Sequence, residues 1–217
     1  MLILNFHGVG PVTRAIDEGE RNCWLDQDTF DAVVDLVAGK SHVRLTVDDG
    51  NASDHEFILP SLLSRKLTAE FFVCSKRLGQ STFLNDVQVR DLAAKGMTIG
   101  SHGAVHRAWR HLTPSELKDE IEGSKVVLET VCKSSIKSAA CPFGAYDRTV
   151  LAELKRAGYQ TVYTSDGGDA RRDAWLQART TITRSMSLNG VRKLIEAGPG
   201  FLRQTSITVK SALKRWR

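Results

Sequence analysis

Residues 42–50 read His42-Val43-Arg44-Leu45-Thr46-Val47-Asp48-Asp49-Gly50, a β-rich run that stops on two carboxylates and a glycine. The short apolar run His42–Val47 predicts a strand, and Asp48-Asp49-Gly50 ends it. Alone, an Asp-Asp-Gly is a turn, because aspartate and glycine suit turn geometry. A calcium loop is excluded, since the spacing from Asp48 to Asp54 does not follow the EF-hand order of ligands. Working outward, further strands are expected at Leu2–His7, Thr68–Val73, Met97–Ser101, Ile136–Ala140, Gln160–Thr164 and Thr180–Thr183. Between them fall helical stretches. Thr29–Val37 places Phe30, Val33, Val34 and Val37 at helical spacing. Glu56–Ser64, Asp86–Ala94, Asp147–Ala157 and Leu188–Ala197 also read as helices. Thr113-Pro114-Ser115-Glu116 is a capping box with proline at the first helical position, opening a run to about Val131. Repeated β–α units predict an α/β fold with a parallel sheet, and about seven strands predict a closed or nearly closed (β/α) barrel. An open doubly wound sheet is the competitor, but the glycine-rich phosphate fingerprints of nucleotide folds are missing.

The polar residues fall at one end of those strands. His7 ends the first and Asp48-Asp49 the second. His102 and His106 follow the fourth, Pro142-Phe143-Gly144 the fifth, and Arg184 the last. In a parallel β/α barrel the C-terminal strand ends converge on one mouth, where active sites are built. His102-Gly103-Ala104-Val105-His106 presents two imidazoles at i and i+4. The zincin pattern needs a glutamate after the first histidine, and Gly103 excludes it. Either the pair is a coincidence of the surface, or it joins a carboxylate at the same mouth. Two histidines and one aspartate make a three-ligand site with an open position, as in a catalytic metal centre.

Length and charge set the frame. The 217 residues, 41% hydrophobic and 25% charged, fit one soluble domain better than two. The net charge of +5 resides in the tail: residues 201–217 hold five basic and no acidic residues, leaving 25 of each sign elsewhere. The expected organisation is a catalytic domain over 1–200 and a basic amphipathic tail over 201–217. With Ile207, Val209, Leu213 and Trp216 interleaved, that tail reads as a frayed helix or a peripheral contact with an anionic membrane. A neutral body argues against nucleic-acid binding. No run reaches the roughly 20 apolar residues of a membrane span. Met1–His7 reads as a strand, not a signal peptide, and the four cysteines form no C-x-x-C pair. A cytoplasmic location with reduced thiols is expected, at the inner membrane face if the tail binds there.

The chain resembles the polysaccharide deacetylase family, the carbohydrate esterases with a NodB-like domain. That family's T-F-D-D-G is matched by Thr46-Val47-Asp48-Asp49-Gly50, and its H-S/T-x-x-H by His102-Gly103-Ala104-Val105-His106. Its R-x-P-Y/F-G is matched by Ala140-Cys141-Pro142-Phe143-Gly144. Thr68-Ala69-Glu70-Phe71-Phe72-Val73 is similar to the family's A-T-F-F-V strand. The likeness runs from about Leu2 to Ala157. It implies a distorted barrel of about seven strands, with Asp48 as catalytic base and Asp49, His102 and His106 as ligands of one divalent metal. Zinc is the usual ion; cobalt, nickel and iron accept the same donors. It further implies hydrolysis of an N-acetylated amino sugar, in a polysaccharide or a lipid-linked precursor, with the Phe143 N–H in the Pro142-Phe143-Gly144 turn stabilising the oxyanion. Two departures stand out. The third motif's arginine is Ala140, and Arg184 is the expected substitute. The late histidine acid of the family is missing, and His7 is the expected replacement. These gaps keep two alternatives open: a deacylase or deformylase of another N-acyl sugar, and a carbohydrate-binding protein that retains the metal site without turnover.

Overall fold

The computed structural model of the chain describes residues 1–197. The basic tail expected at 201–217, with its membrane contact, lies outside the described residues. The strands are β1 Leu2–Phe6, β2 Val43–Asp49, β3 Ala69–Val73, β4 Thr98–Ser101, β5 Ser138–Ala140, β6 Thr161–Thr164, β7 Leu176–Ala178 and β8 Thr180–Thr181. All pair in parallel in the order β7-β6-β5-β4-β3-β2-β1-β8. Only Arg179 separates β7 from β8, so one extended segment pairs with β6 through its first half and with β1 through its second. The barrel is therefore nearly closed by seven staves, although it counts eight strands. The expected last strand at Thr180–Thr183 lies earlier, at 176–181.

Helices cover the outside where the sequence caps them. The helix α1 is Glu18–Cys23, α2 Gln27–Val37, α3 Leu59–Ser64, α4 Asp86–Ala94, α5 Pro114–Lys118, α6 Ser124–Cys132, α7 Arg148–Arg156 and α8 Leu188–Glu196. Asp26 accepts the Thr29 N–H at the start of α2, whose Phe30, Val33, Val34 and Val37 are buried. Each such side chain taken from water contributes roughly 1.5–3 kcal/mol. Reciprocal capping boxes start α4 (Asn85 with Gln88) and α5 (Thr113 with Glu116). The π turns Asp54–Ile58 and Asp119–Gly123 run directly into α3 and α6, so each expected single helix carries a wide turn. No buried residue lies in α1, which is why no apolar period announced it. Among the described residues, no helix is long and apolar enough to cross a membrane.

Strand alternation sorts the core into two layers. Leu2, Leu4, Phe6, Leu45, Val47, Phe71 and Val73 pack outward under the helices, while Ile3, Phe72, Ala140 and Tyr163 form a separate inner cluster. Gly100 belongs to the inner face of β4. A Cβ there would lie 2.6 Å from Phe72 Cδ1 and 2.8 Å from Ser138 Oγ. The Phe72 ring is itself held against Tyr163, with centroids 5.0 Å apart. Gly100→Ala is thus expected to lower stability by about 1–3 kcal/mol, the usual cost of overpacking, measured by urea unfolding. Unchanged stability would show that the Phe72 ring has room to move.

Candidate metal centre and its buried carboxylate

The site is built where β2 runs out. Alternation would send Asp48 and Asp49 to opposite faces of the sheet. Asp49 breaks it with φ 82°, followed by Gly50 at φ 69°. Both carboxylates then approach His102 Nε2, Asp48 Oδ2 at 3.8 Å and Asp49 Oδ1 at 3.6 Å. Left-handed backbone recurs at His106 (φ 60°) and Phe143 (φ 57°). Each such non-glycine residue costs on the order of 1–3 kcal/mol, strain that concentrates at functional sites.

His102 is fully buried at the end of β4, and its Nδ1 lies 2.8 Å from the Ala140 carbonyl oxygen. A carbonyl only accepts, so Nδ1 carries the proton and Nε2 is left with a lone pair facing the carboxylates. Burial, opposed by Asp48 and reinforced by His106, pushes the His102 pKa down to about 4, so the ring is neutral near pH 7. His106 Nε2 lies 3.1 Å from Asp49 Oδ1. One ligand atom each from Asp49, His102 and His106 falls within 4.8 Å of the others. Among the described residues, the buried Asp49 Oδ1 accepts no well-aligned hydrogen bond, even with His106 Nε2 3.1 Å away. A carboxylate oxygen without an aligned donor, beside two imidazoles of which one has a defined lone pair, fits a divalent cation with nitrogen and oxygen ligands.

Asp48 borders this set without belonging to it. Arg179 Nη1 donates to Oδ1 at 2.7 Å and Nη2 to Oδ2 at 2.8 Å, a bidentate pair with Arg179 fully buried. Asn5 Nδ2 also donates to Oδ2, at 2.9 Å, while Asn5 Oδ1 accepts from Arg179 Nη1 and from Thr46 Oγ1. The guanidinium carbon lies 5.3 Å from the Phe72 ring centre and 5.8 Å from that of Tyr163. Burial raises the Asp48 pKa, but Arg179 first and then His102 and His7 overcome it and hold the carboxyl well below the usual range.

Of the residues expected at the mouth, the structure brings together Asp48, Asp49, His102, His106 and His7, whose Nε2 is 4.0 Å from Asp48 Oδ2. The Pro142–Gly144 turn joins them: the Phe143 ring is 4.6 Å from that of His106 and 68% exposed. Arg184 is not brought in. It is exposed, five positions beyond the arginine that pairs with Asp48. The expectation that Arg184 replaces the lost Ala140 charge is corrected to Arg179. The reason is the register of the last stave: with the strand begun at Thr180, Arg179 fell just outside it. A lone arginine between Ala178 and two threonines was the one available signal.

The family model described as polysaccharide deacetylase matches residues 36–162. A putative polysaccharide deacetylase of Bacillus subtilis (strain 168), YxkH, is 27% identical over 148 residues, covering 68% of this chain and 53% of its own. The peptidoglycan-N-acetylmuramic acid deacetylase PdaA of the same organism is 27% identical over 125 residues, 57% of this chain and 46% of its own. The chain thus spans about half the length of these curated relatives. Among solved structures, the Streptococcus pyogenes deacetylase PplD in complex with acetate superposes with a TM-score of 0.77 at 19% identity, over 90% of this chain and 98% of that one. At that identity the likeness shows the fold.

Proposed function

The chain belongs to the polysaccharide deacetylase family, and from that premise we propose a metal-dependent hydrolase that removes the acetyl group from an N-acetylated amino sugar. One observation carries the reading: a three-donor set, Asp49, His102 and His106, stands beside a separate buried carboxylate, Asp48, that an arginine keeps ionised. A dedicated binding module has no use for the second feature. A divalent ion in that set, zinc by the usual habit of these donors, supplies Lewis-acid polarisation of an acyl carbonyl and brings a water's pKa toward about 7.

The chain's own groups divide the remaining work. Asp48 accepts the proton of the attacking water. Its depressed pKa keeps it ionised at neutral pH, ready to accept a proton, although as a weak base. The backbone N–H of Phe143 donates to the developing oxyanion. His7, half-buried and 4.0 Å from Asp48, returns a proton to the leaving amine. The exposed Phe143 ring, 4.6 Å from that of His106, offers an apolar face to a sugar ring beside the ligand set.

The test is acetate release from N-acetylglucosamine oligomers and from a lipid-linked N-acetyl sugar, with zinc and with chelator. Release that stops with chelator and returns with zinc is the expected result. Sugar binding without release, metal present, favours a binding protein; release of another acyl group alone favours a different N-acyl substrate. A second expected outcome concerns stability. Zinc at about a hundred times its Kd should add about 2.7 kcal/mol to unfolding, and His102→Ala should abolish that gain. Equal stabilisation of both proteins would place the ion elsewhere.

A further inference from the structure

The helical segment behind the histidine loop carries polar groups on its buried stripe. Leu117, Ile121, Leu128 and Val131 face the core from α5, the following π turn and α6, and Glu120 and Ser124 lie among them, 1% and 0% exposed. A carboxylate buried so deeply has to be hydrogen-bonded or paired. Glu120 Oε2 accepts the Ala104 N–H at 2.7 Å and the Val105 N–H at 3.5 Å, and Oε1 accepts from Arg107 Nε at 3.0 Å. Ser124 Oγ lies 2.7 Å from Ser101 Oγ, which accepts the Gly103 N–H at 3.1 Å. On the other side, the Gly103 and Ala104 carbonyls accept from the N–H groups of Ser75 and Lys76. The backbone between His102 and His106 is therefore clamped from both sides, with the Ala104 and Val105 N–H groups going to Glu120 and that of Gly103 to Ser101 Oγ, which Ser124 holds.

Gly103 completes the arrangement. Its φ is +82°, and a Cβ there would lie 2.5 Å from Glu120 Oε2 and 2.9 Å from Trp109 Nε1. The motif this segment resembles has a hydroxyl residue at that position. Here the carboxylate occupies the space. His106, three residues further on, sits at φ 60° and needs a rigid loop to hold that conformation.

We propose that Glu120 is a positioning residue that sets His106 against Asp49 and His102, an inference that rests on reading those three as metal ligands. Partners that orient ligands without touching the ion typically change metal affinity by about 10–100-fold when removed.

The experiment compares wild type with Glu120→Ala, Glu120→Gln and Val131→Ala, a core truncation on the same helical segment. Two quantities are read: zinc affinity by chelator competition, and amide hydrogen exchange at Ala104 and Val105 in metal-free protein. Glu120→Ala should weaken zinc binding by about 10–100-fold and speed exchange at both amides. Glu120→Gln should fall between, because its Oε1 still accepts from Ala104 while its NH₂ group opposes the Arg107 donor. Val131→Ala should lower Tm and leave zinc affinity unchanged. The proposal is overturned if both Glu120 variants bind zinc as wild type does, or if Val131→Ala weakens binding equally. If Glu120→Ala does not fold, Glu120→Gln decides by the same criteria. If wild type binds no zinc, the metal reading fails by itself. Exchange then decides: faster Ala104 exchange in Glu120→Gln than in Val131→Ala supports the clamp, and equal rates reject it.

Discussion

Arg179→Ala is expected to lower folding stability by about 3–5 kcal/mol, the cost of leaving one member of a buried ion pair unpaired. The same substitution should move the acid limb of the pH–rate profile upward. In the intact protein Asp48 has a folded pKa below its unfolded value near 3.8. Such a group adds stability above the unfolded pKa, and loses it as pH falls through the folded one. Without the guanidinium, burial dominates and the folded pKa rises above the unfolded value. The sign then reverses: Asp48 costs stability at neutral pH, and more so as pH rises. Urea unfolding between about pH 5 and 8 should show a stability that declines with pH in the variant only. Lysine is a poor substitute, because it cannot make the two parallel bonds at 2.7 and 2.8 Å. Arg184→Ala is the control. That side chain is exposed, so its removal should change stability by no more than about 0.5 kcal/mol and leave turnover intact. An acid limb that stays in place in Arg179→Ala would mean that Asn5 and the neighbouring histidines suffice to hold Asp48 ionised.

That arginine also marks the limit of what residue patterns disclose. The first six strands are short runs buried on both faces, and such runs stand out wherever helices cover a parallel sheet. A cap did the same for one helix: Thr113 with Glu116 fixes its start to the residue. The mouth follows from topology, since every C-terminal strand end faces it, and so Asp48, Asp49, His102 and His106 were legible together. The last stave was different. Leu176–Ala178 and Thr180–Thr181 are too short and too polar to carry a period, and an inward-facing arginine inverts the usual meaning of a charge. Only the need to neutralise Asp48, once Ala140 fails to do so, picks out Arg179. Glu120 escaped for a related reason. A glutamate in an amphipathic helix reads as solvated, although its place three residues after Leu117 and four before Ser124 puts it on the buried stripe. Burial of charge is decided by partners distant in sequence, and those appear only once the chain is folded.

Asp48→Asn separates base from ligand most sharply. Removing a positioned general base typically costs about 10²–10⁴ in rate, and acetate release should fall by that factor with zinc still bound. Asp48 lies outside the Asp49-His102-His106 set, so zinc affinity should remain close to wild type. Asp49→Asn should instead lose zinc and turnover together. The asparagine at 48 is not silent in the fold. Its amide NH₂ faces an Arg179 N–H in either orientation, Nη1 in the place of Oδ1, or Nη2 together with the Asn5 Nδ2 donor in the place of Oδ2. One buried donor is left without an acceptor, at a cost of about 1–3 kcal/mol. The loss of turnover must therefore be measured well below the variant's Tm, with zinc content checked in the same sample. If Asp48→Asn keeps full activity, the proton goes elsewhere, and His7, 4.0 Å away, is the next group in reach. If it loses zinc as fully as Asp49→Asn does, Asp48 is a fourth ligand, and the division between a metal set and a separate base fails.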